Sequence, residues 1–367
     1  MLERFHVPAD IAVHVRQEDM RGSVEDIFRK LGMSNDDAVQ SADVLMYADI
    51  RGIESHGVSN MMRSYVDSFN NKRINPRPNW KIVREAPATA TIDGDGGLGL
   101  AVGPQAMNVA IDKAKRYGIG AVAVFNSGHF GAAAYHAAMV LKHDMVGLSM
   151  TMGGTSVTPT WGAKAMLGLN PLAVAAPARK EPPFIFDASM SSVAGNKIRL
   201  AQRVGAKLNP GWIARPDGTP IMEETDVPEK YLMLPLGGTR EIGSHKGYSL
   251  GMMIEVLAGL LSGNAAAFMR RQQTSHHFIA YNIASFTDVD GFKNDMDAYL
   301  KALKETPPAA GHRRVVYAGL PEHEEEVERR AHGIPYHPEV IGWFKGIVNE
   351  LGLKDRLPSV PAGRPKG

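Results

Sequence analysis

The sequence contains no cysteine. That excludes disulfides, thiolate nucleophiles, zinc ribbons and iron–sulfur clusters. Charge of one sign is also missing, because 41 Lys plus Arg against 39 Asp plus Glu leave a formal net charge of +2. No basic cluster stands out, so nothing here attracts nucleic acid or an anionic membrane in general. No apolar run reaches bilayer length. The most apolar helix-like stretch, Tyr248 to Leu261, contains Glu255 and is too short to span. The first residues, MLERFHVPAD, hold no apolar run of signal-peptide length. The expectation is a cytoplasmic protein. Neither an internal repeat nor an H-E-x-x-H pattern is present, and no metal site is expected. What remains is a chain of 367 residues, 44% hydrophobic, long enough for two or three domains.

The informative stretch is Asn126-Ser127-Gly128-His129-Phe130-Gly131. It follows an apolar run, Gly118 to Phe125, that reads as a buried strand. It precedes Ala132 to His143, which reads as a helix. His129 therefore sits in a strand-to-helix turn. Its glycine neighbours let another molecule approach closely, and the helix N-terminus behind it favours an anion. An unperturbed pKa of about 6.5 suits a histidine there to proton transfer; the alternative is a capping or structural His.

Upstream, Glu18 to Leu31 has helical spacing, and Ser34 reads as the N-cap of a second helix with Asp36 and Asp37 in its first turn. A third helix carries Val58, Met61, Met62, Tyr65 and Phe69 at spacings of three and four. Ser55 and His56 lie in the turn between these last two helices, either as a polar turn or as site residues. Pro76 and Pro78 mark a linker. Strands are predicted over Trp80 to Glu85 and Thr89 to Asp93, and a helix over Gly103 to Tyr117. Between them lies Gly94-Asp95-Gly96-Gly97-Leu98-Gly99, a literal G-x-G-x-x-G. A Rossmann unit wants an acidic residue about 20 positions on, at the end of the next strand. That strand ends in Phe125-Asn126, so a glycine-rich strand–helix turn is the better reading.

Further strands are predicted over Met145 to Thr151, Leu172 to Ala176 and Phe184 to Phe186. Asp187-Ala188-Ser189 ends the last, as a ribose-binding carboxylate or a helix cap. Lys246 opens an apolar helix, where a cation opposes the helix dipole; a residue set against local preference is often there for a site. His276 and His277 begin a strand reaching Phe286 and point to opposite faces, so they cannot share a metal. Helices are predicted over Asp288 to Lys304 and Pro338 to Leu351.

In order, the motifs are Arg51-Gly52-Ile53-x-Ser55-His56-Gly57-Val58, Gly128-His129-Phe130-Gly131, and Gly168-x-Asn170-Pro171-Leu172-Ala173. Asp187 follows with Ser191-Ser192-Val193-Ala194-Gly195-Asn196-Lys197, then His245-Lys246-Gly247-Tyr248-Ser249-Leu250. The series, from about Gln17 to Leu351, resembles the second malate/L-lactate dehydrogenase family. That family includes ureidoglycolate and sulfolactate dehydrogenases, 2,3-diketo-L-gulonate reductase and a cyclic imine reductase. The resemblance implies an α/β, non-Rossmann fold that binds NAD or NADP on a largely antiparallel sheet. It also implies a helical domain formed by both chain ends and an active site near a homodimer interface. The expected domains are residues 1–75 with 288–352 (helical), 76–144 with 178–287 (cofactor-binding) and 145–177 (a small inserted unit), with 353–367 a loose tail.

By the resemblance, His129 is the proton-transferring histidine, and Ser55 and His56 are its polar companions. Gly153, Asp187, Ala188, Ser189, Lys246, Gly319, Leu320 and Pro321 line the cofactor site. The chain has Leu169 where the family has Thr, and Asn60 where it has Arg. Asn60 can donate hydrogen bonds but brings no charge. Arg63, three residues further along the helix, is the expected partner for a substrate carboxylate; the alternative is a solvated surface residue. The implied reaction is oxidation of a small 2-hydroxy acid, malate- or lactate-like, or reduction of its 2-keto partner. The alternatives are a cyclic imine reductase, or a metal-dependent hydrolase or lyase using His56, His129 and a carboxylate.

Overall fold

In the computed structural model of the chain, residues 6–358 are described; most of the expected tail lies outside them. After a short strand β1 (Val13–Val15) come three helices, α1 (Gln17–Lys30), α2 (Asn35–Ile50) and α3 (Val58–Asn70). The Ser34 hydroxyl accepts from the Asp37 N–H at 3.1 Å, so the expected cap forms. α3 buries Val58, Met62, Tyr65, Val66 and Phe69, the expected stripe except for Met61, which is only partly buried. These helices share one core with two elements from the far end of the chain, β11 (Ile334–Tyr336) and α10 (Pro338–Glu350). β1 pairs antiparallel with β11, tying the two ends together.

The middle of the chain builds a seven-stranded sheet. It begins with β2 (Lys81–Ala86), β3 (Thr89–Gly97), α4 (Gly99–Tyr117) and β4 (Ile119–Ser127). The next elements are α5 (Ala133–Ala138), β5 (Met145–Met152), β6 (Leu172–Ala176), β7 (Phe184–Ala188) and α6 (Gly195–Val204). A two-stranded ribbon, β8 (Ile213–Ala214) with β9 (Leu232–Met233), precedes α7 (Ser244–Ile254), which widens into a π turn over Glu255–Leu260. β10 (Thr274–Asn282), α8 (Val289–Lys304) and α9 (Leu320–His332) complete the order. The sheet runs β2-β3-β4-β10-β5-β6-β7. Every neighbouring pair is antiparallel except β3 and β4, which α4 joins as a parallel crossover. A largely antiparallel sheet was the expectation.

One face of the sheet is covered by α4 and α5. Val102, Ala106, Met107, Ala110 and Ile111 pack on Ile92, Val122, Val124 and Phe278. The approach is close: a Cβ on Gly120 would lie 1.9 Å from the Ala110 carbonyl oxygen. On the opposite face Ile254 and Ala258 pack against Met150 and Met152. With both faces covered, β10 buries His276 and His277 alike. The segment expected as a small inserted unit starts and ends in main-sheet strands, β5 and β6. Between them Val157 and Leu167 pack with Val193, Ile198, Ile213 and Met233 around α6 and the β8–β9 ribbon. Leu300 of α8 packs with Tyr317 and Leu320. No helix among the described residues is long and apolar enough to cross a membrane.

Candidate active site

The α2–α3 turn, the β4–α5 turn and the C-terminal ends of β5 and β7 converge on one cavity of about 1160 Å³. Ser55, His56, Tyr65, His129, Gly153, Asp187, Ala188, Ser189, Lys197 and Gly319 line it.

His129 is held from two sides. Its turn leaves β4 through Asn126, whose left-handed backbone (φ 54°) is supported by a hydrogen bond from its side-chain amide to the Asp93 carboxylate at 2.9 Å. The turn rests on the glycine run. A Cβ at Gly99 would lie 2.4 Å from the Gly128 carbonyl oxygen and 2.8 Å from that of His129. The N-terminus of α4 is therefore covered by the His129 loop, and of Gly94 to Gly99 only Leu98 reaches the cavity. Gly131, at φ 78°, brings its N–H to 3.2 Å from His129 Nδ1. The Tyr65 hydroxyl lies 2.8 Å from the same nitrogen. The ring of Phe130 is stacked between His136 (4.6 Å) and His276 (4.7 Å), which fixes the chain direction beside His129.

His56 stacks on His129 with centroids 5.8 Å apart and planes 12° from parallel. Its Nδ1 is 2.9 Å from the Ser55 hydroxyl. Burial pushes the His56 pKa down to about 4. Burial first, then the neighbouring histidines His56 and His136, push His129 down to about 3. Both rings are neutral near pH 7. A peptide N–H can only donate, so Gly131 makes His129 Nδ1 an acceptor and places the ring proton on Nε2. Tyr65 and Gly131 both lie at Nδ1, which leaves Nε2 for a ligand.

The Ser55–His56 turn stands on a buried ionic network. Arg329 on α9 donates to Glu54 Oε1 at 3.0 Å, to the Asp49 carbonyl at 2.7 Å and to Glu325 at 2.9 Å. Asp49 Oδ2 accepts from the Val58 N–H at 3.1 Å and so caps α3. Asn60 donates to the Glu54 carbonyl at 3.0 Å, bracing the same turn from below rather than facing the cavity.

Asp187 accepts from the Ala134 N–H at 2.7 Å and caps α5, while lining the cavity with its remaining acceptor sites. Asn170 (φ 45°) accepts from the Gly153 N–H at 3.0 Å and donates to Glu255 at 2.7 Å, clamping the Gly153 loop to the π turn. Gly319 fits flat on β7: a Cβ there would meet the Ile185 nitrogen at 2.9 Å.

Other expected site residues lie off the cavity. Arg63 pairs with Glu350 at 2.8 Å and Asp67 at 3.5 Å, with its side chain 49% exposed. It lies at the surface and does not line the cavity. Lys246 is exposed on α7. Leu320 is buried in the core with Leu300, and Pro321 opens α9. Sequence reasoning missed Tyr65 as a site residue, counting it only in the apolar stripe, and it missed Arg329 altogether. Among the described residues no group of three or more His, Asp or Glu is placed to hold a metal ion.

Residues 15–344 match the malate/L-lactate dehydrogenase family along nearly the whole chain. The chain belongs to this family. It is 37% identical over 361 residues to a malate dehydrogenase of Pyrococcus abyssi, covering 96% of this chain and 99% of the relative. It is 34% identical to an L-sulfolactate dehydrogenase of Methanocaldococcus jannaschii, covering 92% and 97%. Among solved structures, the malate dehydrogenase of Entamoeba histolytica superposes with a TM-score of 0.89 at 30% identity, over 95% of this chain and 100% of that one. In this family member the cavity holds the motif residues His129, His56, Ser55 and Asp187 together.

Proposed function

We propose that this family member oxidises a small 2-hydroxy acid, malate- or lactate-like, or reduces its 2-keto partner, with NAD or NADP. The observation that carries the reading is His129: a neutral ring facing a large cavity, Nδ1 engaged by Tyr65 and Gly131, Nε2 free. The cavity exceeds the about 300–1,000 Å³ usual for one drug-sized ligand, so it has room for an extended cofactor and a small acid. Asp187, with acceptor sites left over, suits ribose hydroxyls; Gly153, Ala188, Ser189 and Gly319 continue that arm. The covered N-terminus of α4 leaves the Gly94 to Gly99 run without access to a phosphate. The nicotinamide supplies the hydride chemistry.

For reduction, His129 is first protonated; the imidazolium Nε2–H donates to the keto oxygen and gives up its proton as the alkoxide forms, which returns the ring to its neutral state. For oxidation, Nε2 must accept the hydroxyl proton, which requires the ring proton on Nδ1. The Tyr65 hydroxyl can accept from Nδ1–H as well as donate to Nδ1, and the ring gives up its 3.2 Å bond from the Gly131 N–H when Nδ1 carries the proton. The stacked, neutral His56 keeps water from one face of the ring without adding charge.

The exposed apolar side chains Ile242, Leu250, Met253, Val256 and Leu260 follow α7 and its π turn, and we read this face as the contact of a homodimer. A cofactor role for Lys246, on the same helix, then belongs to the assembled pair. The cytoplasm is the compartment that fits this chemistry.

The test is absorbance at the reduced-nicotinamide band with a panel of 2-keto acids and cyclic imine carboxylates, alongside metal analysis of the purified protein. His129→Ala is expected to lower kcat by roughly 10²–10⁴ with little change in cofactor affinity. Near-normal turnover would remove His129 from the mechanism.

A further inference from the structure

A 2-keto acid entering this cavity brings a carboxylate, and an unpaired charge away from water is costly. Neither residue first expected to hold it is free: Asn60 is bound to the Glu54 carbonyl, and Arg63 to Glu350 on the surface. The other cations of the cavity wall differ in their commitments. Arg51 is paired with Glu326 and lies over the Tyr47 ring at 4.0 Å. Lys72, Arg73 and Arg270 are exposed. Lys197 lines the same wall, is largely withdrawn from water, and its ammonium has no hydrogen-bond or ion-pair partner among the described residues.

We propose that Lys197 anchors the carboxylate of the 2-hydroxy or 2-keto acid beside His129, an inference that rests on the proposed reaction. The contacts run in a short chain from its helical turn to the reacting ring. The adjacent Asn196 donates to the Ser55 carbonyl at 2.6 Å and touches the Met61 sulfur at 3.2 Å. The Ser55 hydroxyl meets His56 Nδ1, and His56 lies flat on His129. The first turn of α6 is thus packed against the Ser55–His56 turn. Two features show that Lys197 is not placed for stability. It stands in the first turn of α6, where no acidic residue offsets it and the helix dipole opposes it. Burial also lowers its pKa from the ordinary lysine value. A carboxylate bound between this ammonium and the His56–His129 pair relieves both penalties and gives the acid a fixed orientation. It also favours protonation of His129, which the empty cavity disfavours.

The experiment compares pyruvate with methyl pyruvate, which has the same keto group and no charge, in the enzyme loaded with reduced cofactor. In Lys197→Met, kcat/KM for pyruvate is expected to fall roughly 10–100-fold, the worth of a charge-assisted hydrogen bond. The ester is expected to change by less than about two-fold on the same arithmetic, and the cofactor KM not at all. Lys197→Arg should restore much of the preference for the acid. Calorimetric titration of oxamate into the cofactor-loaded protein makes the same comparison without turnover. Equal losses on acid and ester, an unchanged acid, or a raised cofactor KM would each overturn the assignment. If Lys197→Met fails to fold, the acid-to-ester ratio of Lys197→Gln decides. Turnover of His129→Ala separates the two failures. An inactive His129→Ala beside an indifferent Lys197→Met removes only the anchor. An active His129→Ala removes the reaction site itself.

Discussion

Replacing Arg329 with Met should destabilise the protein more than any surface change. The guanidinium and the Glu54 carboxyl are 4% and 6% exposed and meet at 3.0 Å. At that burial solvent does not screen the pair. Removing the cation leaves Glu54 as an uncompensated buried charge and orphans the Asp49 carbonyl as well. Breaking one partner of such a pair costs about 3–5 kcal/mol. In a chain of 367 residues that is a fall in Tm of roughly 4–6 °C. The Glu54 pKa is already raised, by burial first, with Arg329 opposing the rise; without Arg329 it rises further. A raised carboxyl pKa favours folding below the unfolded value, and that contribution is lost as pH rises through the folded value. The deficit of Arg329→Met should therefore be largest at pH 7–8 and shrink as pH falls toward about 4.5. The double variant Arg329→Met with Glu54→Gln should recover much of the loss at neutral pH, because the orphaned charge is gone. Thermal and urea unfolding of the three proteins across pH makes the comparison. A deficit under about 1 kcal/mol, or a double variant no better than the single, would refute the uncompensated-charge argument.

Tyr65→Phe keeps the ring in its core and removes one 2.8 Å hydrogen bond to His129. It should lower kcat about 2–15-fold, the worth of about 0.5–1.5 kcal/mol, with KM unchanged and the pH profile of kcat displaced; an unaltered profile would leave Tyr65 a packing residue. Asp49 is fully buried, and desolvation raises its pKa to about 7 despite the Val58 N–H. Its contribution to stability is present below about pH 4 and is lost as pH rises to about 7, so Asp49→Asn should gain on the natural protein by up to about 4 kcal/mol across that window. Parallel stability–pH curves for the two would sink this assignment.

The parts of this structure that the sequence shows are those carried by local pattern. The stripe of α3, the cap at Ser34 and the turn around His129 each depend on residues within a few positions of one another. α6 and α9 escaped notice for the same reason. α9 reads LPEHEEEVERRAH and buries only Leu320 and Arg329, so it has no apolar period to detect. Its buried face is ionic, and its partner Glu54 is 275 residues away. β10 stops at Asn282, earlier than its apolar content suggests, because the Asn282 side chain accepts from the Ala284 N–H and begins a turn.

Arg63 shows how far helical spacing can be taken. Three residues along a helix do bring a side chain near the face of the first, and Arg63 does follow Asn60 in that sense. Asn60 itself, however, turns to the Glu54 carbonyl and does not line the cavity. Periodicity orders residues around one helix but cannot say what that helix faces. Tyr65 makes the converse case. A tyrosine in an apolar stripe counts as core by its ring, and its hydroxyl gains a role only because the fold carries His129, 64 residues on, to within 2.8 Å. A buried tyrosine needs a partner for its hydroxyl. In a stripe otherwise made of Val, Met and Phe, that need was the one local sign that this helix also borders a polar site.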